Sequence, residues 1–139
     1  MENSKLSPVL LDTNIIVSAL LFGGKPRTVF QLVLRKEIDA VISRQLIAEL
    51  LDVLAGKFRF PQKTLILLER KILKRFRAIL PLTRIDLLKD PDDRVLEAAL
   101  EGRCKYIVTG DRELLALQSF QGIAIVTAEQ FLRILNERE

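Results

Sequence analysis

Apolar and polar positions alternate along this chain in two rhythms. Val9-Leu10-Leu11, Asp39 to Ser43 (D-A-V-I-S), Tyr106-Ile107-Val108 and Ile123 to Val126 are apolar runs too short for helices and read as buried strands. Arg84 to Leu88 reads as a further short strand. Between these runs the apolar residues recur every three or four positions, the spacing of an amphipathic helix. One short helix runs through Leu21 to the break at Gly23-Gly24, and Lys25-Pro26 opens the next, which reaches about Lys36. Ser43 caps a helix from about Arg44 to Ala55 that Gly56 ends. Leu65, Leu68, Ile72, Phe76 and Ile79 predict a long helix from Pro61 to Leu80, stopped by Pro81. Arg94 to Glu101, Arg112 to Leu117 and a terminal stretch to about Asn136 complete the set. Regular alternation of strand and helix implies parallel strands joined by crossover helices, hence a three-layer α/β/α sandwich around a central, mostly parallel sheet. No repeat or linker interrupts the pattern, so residues 1–139 read as one domain.

Composition narrows the chemistry. Nearly half of the residues are apolar, few are aromatic, and the single cysteine, Cys104, excludes an internal disulfide and fits a reducing compartment. No run reaches about 18 uninterrupted apolar residues, and Met1-Glu2-Asn3-Ser4-Lys5 lacks the features of a signal peptide, so a cytoplasmic location without a membrane span is expected. Histidine is absent, which excludes Ser-His-Asp and Cys-His catalysis and His-ligated zinc. Hydrolysis would then rest on carboxylates and a hard cation held by them. The net charge of +4 is compatible with a polyanionic partner without demanding one.

Carboxylates recur where such a fold places its crevice. Asp12 follows the first strand, Asp111 follows Tyr106 to Val108, and Asp93 opens a helix after the Arg84 to Leu88 segment. In a parallel sheet these positions share the carboxyl edge, where α/β folds bind ligands. Crowded carboxylates resist ionisation unless a cation neutralises them, and with neither His nor multiple Cys that cation would be Mg²⁺ or Mn²⁺. Each acid also has a plainer reading as a helix cap, Asp90 and Asp92 beside Asp93 included. On the Arg44 to Ala55 helix, Glu49 lies just past the apolar arc and Asp52 shares its polar side, and periodicity does not choose between them.

These residues fall into motifs: L-D-T-N at Leu11 to Asn14, Glu49 within S-R-Q-L-I-A-E-L, D-P-D-D-R at Asp90 to Arg94, and T-G-D at Thr109 to Asp111. In this order and spacing the chain resembles PIN-domain proteins, most of all those described as toxin components of toxin–antitoxin pairs. The resemblance implies a PIN-like sheet of strand order 3-2-1-4-5 and Mg²⁺- or Mn²⁺-dependent endoribonuclease chemistry. It assigns Asp12, Glu49, Asp93 and Asp111 as catalytic metal ligands, Asp93 being preferred for its place three residues before Leu96. Asn14 and Thr109 become supporting residues, and Glu113 is a further acid near the last motif. RNA as substrate, a small antitoxin protein and a homodimer are implied in the same way.

Two rival readings compete. A haloacid dehalogenase-type phosphatase also begins with an Asp after strand one, but needs an acid where Asn14 stands. A non-catalytic RNA- or antitoxin-binding module would use the basic face of the Pro61 to Leu80 helix, with Lys71, Lys74 and Arg75 as nucleic-acid contacts. That face reads equally as solvated surface. Leu67 on the basic side is an apolar surplus that suits a subunit contact or a well-covered helix.

Overall fold

The computed structural model describes residues 8–138, apart from the side chains of residues 90 and 138, so the Met1 to Lys5 reading lies outside the described residues. Six strands form among them: β1 (Val9–Leu11), β2 (Ala40–Ser43), β3 (Arg77–Ile79), β4 (Tyr106–Val108), β5 (Ser119–Phe120) and β6 (Ile123–Val126). They make one sheet in the order β3-β2-β1-β4-β6-β5. All neighbours are parallel except the β5–β6 hairpin. Its two-residue loop, Gln121-Gly122, has positive φ at both positions, which matches the twist of the flanking strands. Without that edge strand the order is the 3-2-1-4-5 that the resemblance implies.

The helices are α1 (Thr13–Leu21), α2 (Gly24–Leu34), α3 (Arg44–Gly56), α4 (Gln62–Arg75), α5 (Asp90–Glu101), α6 (Arg112–Leu117) and α7 (Ala128–Arg138). The connections β1 to β2 and β2 to β3 run one way along the sheet, whereas β3 to β4 and β4 to β6 run the other. Right-handed crossovers of opposite sense put their helices on opposite faces. Accordingly α5 packs on β1 and β2 and α6 against β6, while α1 contacts α2 and α3, and α7 contacts α2. The central strands are enclosed on both sides: Val9, Leu10, Leu11, Val41, Ile42, Ile107 and Val108 have no exposed surface. Each such aliphatic side chain contributes roughly 1.5–3 kcal/mol by leaving water, so a charge has a place only beyond the strand end. No helix among the described residues is long and apolar enough to cross a membrane.

Two expectations change here. The long helix ends at Arg75 rather than at Leu80, and Arg77 to Ile79 form β3, in register with Val41 to Ser43. Phe76 leaves helical geometry (φ −105°, ψ 152°) to bury its ring against Phe30, and the ladder with β2 then outweighs continued helix. Arg84 to Leu88 is not a strand. The backbone of residues 82–88 is met by side chains of α5, one carboxylate per turn. Glu101 Oε1 accepts from Leu82 N–H at 3.2 Å, and Glu97 Oε2 from Ile85 N–H at 2.8 Å. Asp93 Oδ1 accepts from Leu88 N–H at 2.7 Å, and both its oxygens from Leu87 N–H at 3.2 Å. Arg94 Nη2 donates to the Ile85 carbonyl at 3.0 Å and to Glu97 at 2.8 Å, a buried ion pair. Residues 93, 97 and 101 lie on one face of a helix, so a row of acids stands in for a neighbouring strand.

Asp93 is the most engaged of the three acids. Asp93→Ala should lower unfolding free energy by roughly 2–3 kcal/mol, the scale of losing charge-assisted hydrogen bonds to partly buried amides. Asp93→Asn should lose about half as much, since its amide oxygen still accepts. Urea titrations check both, and wild-type stability in Asp93→Ala would show that the clamp does not hold the fold.

Candidate metal centre

Three strands end flush at the carboxyl edge. Leu11 pairs with Val108 and Val108 with Val126, and the ladder runs one residue further. Asp12 N–H donates to the Val108 carbonyl at 3.0 Å, and Thr109 N–H to the Val126 carbonyl at 2.9 Å. Asp12 and Thr109 thereby become neighbours across β1 and β4, and Thr109 Oγ1 donates to Asp12 Oδ2 at 2.7 Å. Asp12 occupies the N-cap position of α1, with the Thr13 and Asn14 amides of that helix close enough to its carboxylate to favour the charged form. Its carboxylate, 6% exposed, is held for the crevice. Burial pushes its pKa up and the Asp111 charge adds to the rise, while hydrogen bonds from Thr109 and from the Thr13 and Asn14 amides oppose it.

The T-G-D turn carries the next acid. Thr109 Oγ1 also accepts from Asp111 N–H at 3.0 Å, so one hydroxyl positions two acids. Asn14 Oδ1 accepts from Gly110 N–H at 3.4 Å, tying the turn to α1. Asp111 does cap its helix: Oδ1 accepts from Glu113 N–H at 2.7 Å and Leu114 N–H at 3.2 Å. These donors leave Oδ2 for another partner.

The third acid is contributed by α5, and it is Asp92. Oxygens of Asp92, Asp111 and Glu113 all lie within 4.8 Å of one another. Asp12 is close enough for its charge to act on Asp92. Burial first, then the charges of Asp111, Asp12 and Glu113, push the Asp92 carboxyl up to about 6. Asp93, the acid preferred from the sequence, turns to Leu87 and Leu88 instead. The Asp90 side chain lies outside the described residues. A signal for Asp92 existed in the sequence. It precedes Val95, Leu96 and Ala99 by three, four and seven positions, so it continues the buried stripe with which α5 meets the sheet.

Glu113 joins the acids from the first turn of α6, half-exposed, with Lys89 Nζ 3.8 Å from its Oε1. Glu49 stands half-buried on α3, outside the group of three. Lys71, Lys74 and Arg75 are exposed near the end of α4, which delivers the chain to the start of β3. Arg75 lines a cleft with Pro8, Asp39 and Ala40, at the amino-terminal edge of the sheet. Arg75 therefore faces away from the acids.

A divalent ion with oxygen ligands fits this donor set. Carboxylate oxygens about 2.0–2.6 Å from one ion can lie up to about 4–5 Å apart, which is the spread seen here. Four like charges in one crevice also supply the electrostatic reason for an ion. With no imidazole and only one thiol in the chain, buried apart as Cys104, the site is one for a hard cation.

No curated protein sequence matches the chain significantly. Among solved structures, that of the PIN domain endonuclease Utp24 is similar at 22% identity, covering 84% of this chain and 81% of that one, with a TM-score of 0.51. At that identity the likeness shows the fold. Residues 8–113, from the start of β1 to Glu113, match the PIN domain family, which spans all of the acids described above. The chain belongs to the PIN-domain family.

Proposed function

We propose that the protein is a divalent-metal-dependent endoribonuclease, in which Asp12, Asp92, Asp111 and Glu113 hold Mg²⁺ or Mn²⁺. The observation that carries this reading is the mutual approach of Asp92, Asp111 and Glu113 beside buried Asp12, at the edge where three strands end. A bound cation supplies charge stabilisation at the phosphate and lowers the pKa of water near it, so no histidine is needed. The protein's own part is placement. Thr109 fixes Asp12 and Asp111 relative to each other, Asn14 secures the turn between them, and α5 carries Asp92 in on its buried face. Glu49 is assigned to orienting the attacking water. Attack of water oxygen on phosphorus, in line with the leaving group, breaks the P–O3′ bond and yields a 5′-phosphate and a 3′-hydroxyl.

The order of the four motifs supports a finer reading as well. The chain is then the toxin of a toxin–antitoxin pair, a cytoplasmic homodimer restrained by a small antitoxin protein over the acidic crevice.

Purified protein with Mn²⁺ should cleave RNA, and EDTA should stop it. Asp12→Asn and Asp92→Asn should each reduce cleavage at least about a hundredfold, as expected for lost metal ligands. Asp93→Asn should retain most of the rate once folded. Loss in Asp93→Asn with retention in Asp92→Asn would reverse the assignment, and RNA binding without any cleavage would favour the non-catalytic module. Induced expression should arrest growth with wild-type protein and not with Asp12→Asn.

Acidity provides a test without substrate. The unfolded chain releases the Asp92 proton near 3.8 and the folded, metal-free chain near 6. The folded state binds the extra proton between those values, so stability is greatest below the window and falls as pH rises through it. Urea midpoints in EDTA should decline from pH 4 to pH 6 more steeply for wild type than for Asp92→Asn. Adding Mg²⁺ or Mn²⁺ at neutral pH should restore wild-type stability. Parallel pH curves would remove Asp92 from the repelling group.

A further inference from the structure

Lys89 is the N-cap residue of α5, three positions before Asp92, and its ammonium meets Glu113 of the acidic group at 3.8 Å. Both side chains are exposed, at 77% and 49%, so the pair is weak and readily exchanged. Its place matters more than its strength. Asp12, Asp92, Asp111 and Glu113 carry up to four negative charges, and one divalent ion cancels two of them. A phosphodiester approaching this crevice still meets net repulsion unless a protein cation stands at the rim. Arg75, at the end of α4, lies at the opposite sheet edge and does not meet that need. A cation held by Asp92, Asp111 and Glu113 would compete with Lys89 for the Glu113 carboxylate, leaving the ammonium beside the acids without its anion.

Resting on the endonuclease reading above, we infer that Lys89 is a substrate-positioning residue that passes from Glu113 to a non-bridging oxygen of the RNA phosphate when the acids take up their ion. It acts as a point charge on a flexible stem, so it draws the phosphate in without reading bases. Its contact is present in bound substrate and transition state alike, and its loss raises KM more than it lowers kcat.

The test compares wild type, Lys89→Gln and Lys89→Arg. Binding of a labelled single-stranded RNA is followed by anisotropy with Ca²⁺ in place of Mg²⁺, across a range of salt. Lys89→Gln should bind about five- to tenfold more weakly, with a salt slope shallower by about 0.7, and Lys89→Arg should restore both. In Mn²⁺, KM should rise similarly while kcat stays within about twofold. Calorimetry should show Mn²⁺ binding more tightly to Lys89→Gln, because the competing ammonium is gone. Equal melting temperatures for the three proteins separate this role from a structural one. Wild-type affinity and salt slope in Lys89→Gln, failure of Lys89→Arg to rescue, or unchanged Mn²⁺ affinity would overturn the inference. Wild-type protein that binds this RNA but cleaves none in Mn²⁺ would overturn the nuclease reading instead, with Lys89 still judged by the binding arm.

Discussion

Like charges brought together in one crevice repel, and the structure around this site is organised to withstand that repulsion. Three of the acids are fixed by their surroundings. Asp12 leans on the Thr109 hydroxyl, Asp111 accepts two amide protons at the head of α6, and Asp92 is built into the buried stripe of α5. The sheet makes these arrangements possible by ending β1, β4 and β6 at one level. Apolar strands cannot tolerate the charges within their length and so deliver them to the edge. Fold and site are two results of one distribution of apolar residues.

How much of this could be read from the chain follows from the same physics. Strands β1, β2, β4 and β6 announce themselves as short aliphatic runs, and the alternation gives the layered architecture. Thr109 and Asn14 come from the resemblance to PIN-domain proteins, and the structure shows their hydrogen bonds to Asp12 and to the Gly110 amide. β3 was hidden. Phe76 and Ile79 continue the helical spacing of α4, and only burial of Phe76 against Phe30 breaks it. The segment before α5 was misread for a related reason: its hydrogen-bond partners are carboxylates rather than a strand, and strand patterns do not encode such partners.

Adjacent acids are the least legible part of the site. D-P-D-D offers several carboxylates within one turn, and successive helical residues point about 100° apart. Distance to Leu96 alone does not separate Asp92 from Asp93. The row of Asp93, Glu97 and Glu101 does, because it marks a face committed to the preceding segment, and Asp92 is left on the face that meets the sheet. Glu113 was recognisable as a nearby acid, but its approach to Asp92 depends on how α6 leaves the T-G-D turn.

The placement of Asp92 and Asp93 has a mechanical consequence. One residue faces the crevice and the next staples the preceding loop, so a rotation of α5 about its axis disturbs both at once. The helix is locked in azimuth by bonds that lie outside the reaction. Preorganisation of the crevice is therefore inherited from the cooperativity of folding, and softening of residues 82–88 would also loosen the placement of Asp92 beside Asp111 and Glu113.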